Sequence, residues 1–285
     1  MSFFLFLLLF TDVEFFTYVF QSLLVQNKSE GELMKILKFI AVAICIIMLC
    51  NITCFAEEEF NWYIIKHGNN TPSFPASAKI VSENGGVYID TKAATEHDKK
   101  IYLTFDAGYE NGNIERILDV MKEEGVSGAF FILSNLIDKN PDLVKRMSDE
   151  GHLVCNHTYN HKNMTKLSDQ EVLANLNRLE GKYKEVTGND MEKIFRFPEG
   201  RYSERTLKLL CENGYKTVFW SMAYDDWDNN RQMNSEKAKE KLLSTTHEGA
   251  ILLLHPTSAT NADIIGDLIR EWKCMGYTFG SLKDI

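Results

Sequence analysis

The chain has 285 residues, 45% hydrophobic and 25% charged, the make-up of an ordinary globular protein of one or two domains. Its formal net charge of -9 at pH 7 excludes nucleic acid as a partner, because phosphate binding needs a basic face. The same charge gives no general attraction for anionic polymers, so any such substrate must be held by local contacts.

Residues 1–33 open with an apolar run, Phe3 to Phe10, that has no basic residue before it and is followed by Asp12 and Glu14. Met34 reads as the true start, which makes 1–33 an upstream extension; a genuine second hydrophobic helix is the alternative. Met34-Lys-Ile-Leu-Lys38 is basic, Phe39 to Cys50 is almost wholly apolar, and Thr53-Cys-Phe-Ala56 supplies small residues before Glu57 to Glu59. Residues 34–56 therefore have the layout of a secretory signal, with cleavage expected after Ala56. The alternative is an uncleaved membrane attachment through residues 39–55, which approach the length that spans a bilayer. Three of the six cysteines, Cys45, Cys50 and Cys54, lie in this segment. Cys155, Cys211 and Cys274 are too far apart for a metal knuckle or a disulfide framework.

Residues 57–98 carry a weak pattern and read as an arm packing on the main domain. Asn69, Asn70, Pro72 and Pro75 mark loops, and Val87-Tyr-Ile89 after Gly85-Gly86 reads as one short strand. From residue 99 to 285 a clear alternation sets in. Strand-like runs are Ile101–Phe105, Gly128–Leu133, His152–Cys155, Ile194–Phe197, Thr217–Ser221 and Ala250–Leu254, with a weaker Tyr277–Leu282. Helical spacing appears at Ile114, Ile117, Leu118 and Met121, and again at Leu143, Val144 and Met147 after Pro141. Ser168-Asp-Gln-Glu171 is a capping-box signature, Ser203 opens another helix, and Ser235–His247 and Asn261–Cys274 complete the set. Repeated strand–helix units predict an α/β barrel or broken barrel of about seven parallel strands with outer helices. No glycine-rich nucleotide fingerprint is present.

In such barrels the working residues gather where strands end. Here the first run ends in Asp106, and the third leads to His157-Thr-Tyr-Asn-His161. The fourth contains Arg196-Phe-Pro-Glu-Gly200, the fifth leads to Asp226-Trp227, and the sixth ends in His255. All should face one mouth. Asp106 is either a turn cap or a general base for a bound water. His157 and His161, four apart, share a face if that turn is helical and can then hold a divalent ion; otherwise the pair is incidental. His255 is either a core histidine or the acid for a leaving amine, with Asp226 raising its pKa. Arg196 pairs with Asp106 to keep it ionised, or forms a purely structural ion pair. Trp227 can serve as a platform for a sugar face, while Trp220 and Trp272 read as core.

Thr104-Phe-Asp-Ala-Gly-Tyr109, His157-x-x-x-His161, Arg196-x-Pro-x-Gly200, Asp226-Trp227 and Leu253-x-His255 together resemble the five ordered motifs of the polysaccharide deacetylases, the family 4 carbohydrate esterases. Glu110-Asn-Gly112, Met147-Ser-Asp-Glu-Gly-His152, Thr217-Val-Phe-Trp-Ser221 and Gly276-Tyr-Thr-Phe279 look most like the delta-lactam-biosynthetic members, which deacetylate muramic acid in peptidoglycan on the way to the spore cortex lactam. The resemblance covers roughly residues 99–285. It implies a distorted (β/α) barrel and an exported hydrolase of the cell wall or spore cortex space whose partner is the glycan strand. It assigns Asp106 as base, His255 as acid, Asp226 and Arg196 as their partners, and His157 and His161 as ligands of a divalent metal ion, zinc being the first choice. Tyr109, Pro198, Glu199, Gly200 and Trp227 would contact substrate. Two departures stand out. The family's usual third metal ligand falls at Ala107, which weakens the metal expectation, and its usual aromatic after the proline is Glu199. A deacetylase of N-acetylglucosamine or chitin-type polymers, and a wall-binding module without chemistry, are the alternatives.

Overall fold

The computed structural model describes residues 58–67 and 70–285. The expected upstream extension, signal segment and apolar stretch 39–55 lie outside the described residues. Among the described residues no helix is long and apolar enough to cross a membrane.

The strands in chain order are β1 (Phe60–Asn61), β2 (Ile65–His67), β3 (Asn70–Ser73), β4 (Lys100–Ala107), β5 (Ala129–Ile132), β6 (Leu153–Asn156), β7 (Glu192–Phe195), β8 (Arg201–Tyr202), β9 (Lys216–Thr217), β10 (Met222–Ala223), β11 (Ile251–Leu254) and β12 (Thr278–Phe279). The main sheet runs β10-β11-β4-β5-β6-β7-β9, with every neighbouring pair parallel and β12 parallel to the start of β4. This is the expected (β/α) barrel in distorted form: a curled sheet of seven parallel strands with helices around it.

Alternation along β4 explains both its burial and its role. Ile101, Leu103, Phe105 and Ala107 pack into the outer cluster with helix residues such as Ile117, Leu118, Ile265 and Trp272. Tyr102 joins a separate inner cluster with Phe131, Cys155, Val218 and Ile251. A strand covered on both faces reads as a continuous apolar run, which is why it stood out in the sequence. Asp106 shares the inner face of Tyr102 and Thr104. Ala107 belongs to the outer one and is fully buried.

The helices start where the sequence signals them. Ser168 and Glu171 form a reciprocal capping box on Asp169–Thr187, and Ser203 caps Glu204–Glu212. The last long helix begins earlier than expected, at Ala259, because Ser258 is its cap and accepts from Asn261 N.

The expected strand Thr217–Ser221 is broken, and the reason lies in the seam of the barrel. Val218 N donates to Phe195 O at 2.8 Å, on the β7 side, whereas Ser221 N donates to Ile251 O at 3.0 Å, on the β11 side. The four residues between β9 and β10 thus cross from one edge of the sheet to the other. Val87–Ile89 is not an independent strand: Val87 bridges Val218 and Ile89 bridges Ala250, so it helps close the same seam. Gly86 lets it enter, since a Cβ there would lie 2.6 Å from both Thr217 Oγ1 and Val81 Cγ1.

Candidate active site

At the carboxyl ends of the strands lies a cleft of about 760 Å³, lined among others by Asp106, Tyr109, His157, His161, Glu199, Gly200, Trp227 and His255. Arg196, Pro198 and Asp226 are buried behind this lining. One region of the fold therefore gathers the candidate site residues at and just behind the cleft. Trp220, expected in the core, also lines the cleft, as do Leu133 and Leu253; Trp272 is fully buried in the core.

Asp106 sits in a ring of donors. Arg196 Nη1 donates to Asp106 Oδ1 at 2.9 Å, and Arg196 Nη2 donates to Thr104 Oγ1 at 2.8 Å. Arg196 Nε donates to Val218 O at 3.1 Å, and its guanidinium lies 4.1 Å from the centre of the Phe131 ring. A fully buried guanidinium needs this number of acceptors. Thr104 in turn hydrogen-bonds Leu252 O on the neighbouring strand. Burial pushes the Asp106 carboxyl up, but its interactions with His157, Arg196 and His255, including the Arg196 hydrogen bond, outweigh it and hold it below the usual carboxylate range. Asp106 is thus ionised at neutral pH, with Oδ2 3.5 Å from His157 Nε2.

His157 Nδ1 lies 2.9 Å from Arg196 O, so it carries the proton and donates, leaving the Nε2 lone pair toward the cleft. Burial pushes its pKa down to about 4. The His157 and His161 rings are 5.1 Å apart, edge to face. They do not lie on a helical turn, the condition under which their spacing alone would put them on one face. The segment is a loop in which Thr158 (φ 77) and His161 (φ 57) are left-handed. Asn156 Oδ1 accepts from Thr158 N and Asn175 Oδ1 from Tyr159 N, while Thr158 Oγ1 accepts from His161 N. These side chains bend the loop, and nothing in local spacing announced Asn156 or Asn175.

Asp226 grips His255 twice, at Nδ1 and at the main-chain N, both at 2.7 Å. Asn261 Nδ2 donates to Asp226 Oδ2 at 2.6 Å and accepts at its own Oδ1 from Tyr224. Burial pulls the His255 pKa down, but the hydrogen bond and charge of Asp226 prevail and raise it. Asn261 and Tyr224 were not foreseen; only the fold brings them to Asp226.

Trp227 and Tyr109 are exposed at the rim, and Asn229 Nδ2 donates to Tyr109 Oη. Glu199 adopts a left-handed backbone (φ 56) and pairs with Arg201 at 3.0 Å.

Among the described residues no group of three or more His, Cys, Asp or Glu is arranged as a metal site. Ala107 faces the outer core and offers no donor. Two imidazoles, one with its Nε2 fixed toward the cleft, fit a divalent ion that is completed by water or substrate rather than by a closed protein cage.

The sequence profile of the polysaccharide deacetylases matches residues 93–218. The chain is 37% identical over 229 residues to the peptidoglycan-N-acetylmuramic acid deacetylase PdaA of Bacillus subtilis (strain 168), covering 80% of this chain and 86% of that one. The solved structure of Bacillus subtilis PdaA, a family 4 carbohydrate esterase, aligns with a TM-score of 0.75 at 36% identity, over 80% of this chain and 96% of that chain. A family 4 carbohydrate esterase from Bacillus anthracis aligns with a TM-score of 0.65 at 38% identity, over 80% and 95%.

Proposed function

Because this chain belongs to the polysaccharide deacetylase family, we propose that it is an exported de-N-acetylase of peptidoglycan acting on N-acetylmuramic acid. The observation that carries the chemistry is that Asp106, paired with Arg196, and His255, held at Nδ1 by Asp226, line one cleft. Surroundings that lower the Asp106 pKa and raise that of His255 suit an acid–base pair. The choice of muramic acid rests on the likeness to PdaA over most of both chains.

In this reading Asp106 takes a proton from a water as that water attacks the acetamide carbonyl. Arg196 keeps the carboxylate ionised and oriented. His255, held by Asp226, gives its Nε2 proton to the departing nitrogen, releasing acetate and a free amine. His157 and His161 would hold the divalent ion, which supplies polarisation of the carbonyl oxygen and a lowered pKa for water. Leu133, Leu253 and Trp220 give the acetyl methyl an apolar wall.

The same reading places the protein outside the membrane, in the wall or spore cortex space where muramic delta-lactam forms. Residues 34–56 serve as its export signal, cleaved after Ala56 or retained as an attachment. Acetate release from peptidoglycan, with and without prior amidase trimming, tests the proposal. Mass spectrometry of digested product should locate the free amine on muramic acid. Free amine on glucosamine alone would replace the muramic assignment, and glycan binding with no acetate release would leave only a wall-binding module.

A further inference from the structure

The cleft-lining loop that carries His161 is exposed over Asn160–Lys162 and has a left-handed residue at His161 itself, so something outside it must fix its course. Its upstream end is held by Asn156 and Asn175. Its downstream end, beyond Thr165, is held by Arg205, which donates to Leu167 O at 2.9 Å. Between them stands one carboxylate from the far end of the chain. Glu59 Oε2 accepts from Asn163 Nδ2 at 2.8 Å and from the Thr165 hydroxyl, and pairs with Lys166 Nζ at 3.1 Å. Asn163 Oδ1 meanwhile caps the short turn Met164–Lys166 through Thr165 N.

The residues after Glu59 extend the same pattern to the other walls of the cleft. Phe60 and Asn61 pair antiparallel with Tyr202 and Arg201, directly after the cleft residues Glu199 and Gly200. Trp62 N donates to Gly200 O, and Trp62 Nε1 donates to Trp220 O, both at 2.9 Å. Gly200 accommodates this approach, because a Cβ there would meet Trp62 Cβ at 3.0 Å and Trp220 at 2.9 Å. Residues 59–62 therefore touch the segment that follows His161, at Asn163 and Thr165, and the cleft-lining residues Gly200 and Trp220.

We propose that Glu59 is a positioning residue of the active site, fixing through Asn163 and Thr165 the loop that presents His161 to the cleft. The Thr165 and Asn163 hydrogen bonds hold its carboxyl at about 2, so the clamp does not loosen anywhere in the working pH range. The hydrogen bonds, not the exposed Lys166 pair, carry the effect, since exposed ion pairs contribute little. The kinetic part of the test rests on the deacetylase reading; the spectroscopic part does not.

The test compares full-length wild type, Glu59→Ala, Glu59→Gln and Thr165→Val. In long-range 15N–1H spectra of the histidine rings, Glu59→Ala should move the His161 signals and leave those of His255 and His247 in place. Its kcat/KM for acetate release should fall about tenfold or more, as expected for a group displaced by a fraction of an ångström. Glu59→Gln keeps an acceptor for Thr165 and Asn163 and should retain most activity and the wild-type His161 signals. Should Glu59→Ala fail to fold, Thr165→Val removes the same hydrogen bond without changing shape and must move the same signals. His161 signals that stay unmoved in a folded variant overturn the proposal. Signals that move while wild type releases no acetate sustain the positioning role and remove the deacetylase reading instead.

Discussion

Asp226 and His255 are joined by two contacts of 2.7 Å, one to the ring Nδ1 and one to the main-chain N, so the carboxylate fixes both the orientation and the charge of the imidazole. The His255 pKa is raised, hence the protonated form persists to higher pH than in a free histidine. An acid catalyst loses activity as pH rises through its pKa. In Asp226→Asn the charge is gone and the pKa falls, so the alkaline limb of the kcat/KM profile should move to lower pH. The rate at its optimum should drop about a hundredfold or more. The stability linked to His255 runs the same way: complete below its unfolded pKa, lost as pH rises through the folded one. An alkaline limb that stays in place in Asp226→Asn removes His255 as the titrating acid.

Arg196→Met should act on the other limb. The guanidinium is wholly buried and helps hold Asp106 below its usual range through both its charge and its hydrogen bond, so removing it raises the Asp106 pKa and shifts the acid limb to higher pH. Breaking a buried pair from one side costs about 3 kcal/mol at the low end of the usual range, which Asp106, 12% exposed, justifies. For a domain of this size that is a fall of about 6–12 °C in Tm. Because the Asp106 pKa is depressed in the fold, its stabilising effect is present above the unfolded value and lost as pH falls. The Tm gap between wild type and variant should therefore narrow in acid. A pH–rate profile and calorimetric scans at two pH values check both statements.

What the sequence disclosed follows from the physics of each element. β4 was legible because both its faces are covered, and Asp106 because it breaks that run at a strand end. Its pairing with Arg196, ninety residues on, was foreseen only as one of two options. The stretch Thr217–Ser221 has strand composition, yet its hydrogen bonds divide between two edges of a curled sheet, and curl has no local signature. The four-residue spacing of the histidines would put them on one face of a helix, but Asn156 offers Thr158 N a side-chain acceptor and the chain turns instead. Asn261 and Tyr224 stay silent in sequence because their role depends on where Asp226 ends up. Trp220 read as core, and only the close approach of Trp62 and Gly200 shows that it forms a cleft wall.

Removal of the metal should silence acetate release. Dialysis against EDTA is expected to abolish most activity, with zinc, cobalt or magnesium restoring it. His161→Ala should need a higher ion concentration for restoration than wild type and should lose about tenfold or more in kcat/KM, since among the described residues no group of three or more His, Cys, Asp or Glu is placed to make up for a lost imidazole. Direct zinc titration by calorimetry provides a second reading. Equal restoration curves for wild type and His161→Ala would strike His161 from the ligand set. Ala107→Asp is not expected to repair the site without cost: residue 107 lies fully buried on the outer, apolar face of β4, and a carboxylate placed there should lower Tm.

Trp227 tests whether the rim recognises polymer rather than acetyl group. Its side chain is among the exposed large apolar groups, lines the cleft, and also borders a second depression formed by Asp225, Asp228, Arg231, Gln232 and Met233. It therefore stands between the two depressions, and a longer glycan that continues from the first into the second would meet its ring. An exposed ring contributes little to folding, so Trp227→Ala should leave Tm nearly unchanged, within about 0.5 kcal/mol of wild-type stability. Losing a flat stacking face removes binding that is equal in ground and transition states, which raises KM and leaves kcat close to wild type. The effect should grow with glycan length, because a short acetylated sugar occupies the inner cleft without reaching the rim. Kinetics on a length series would show a KM ratio that rises with chain length. A uniform fall in kcat across the series would instead place Trp227 at the reacting centre.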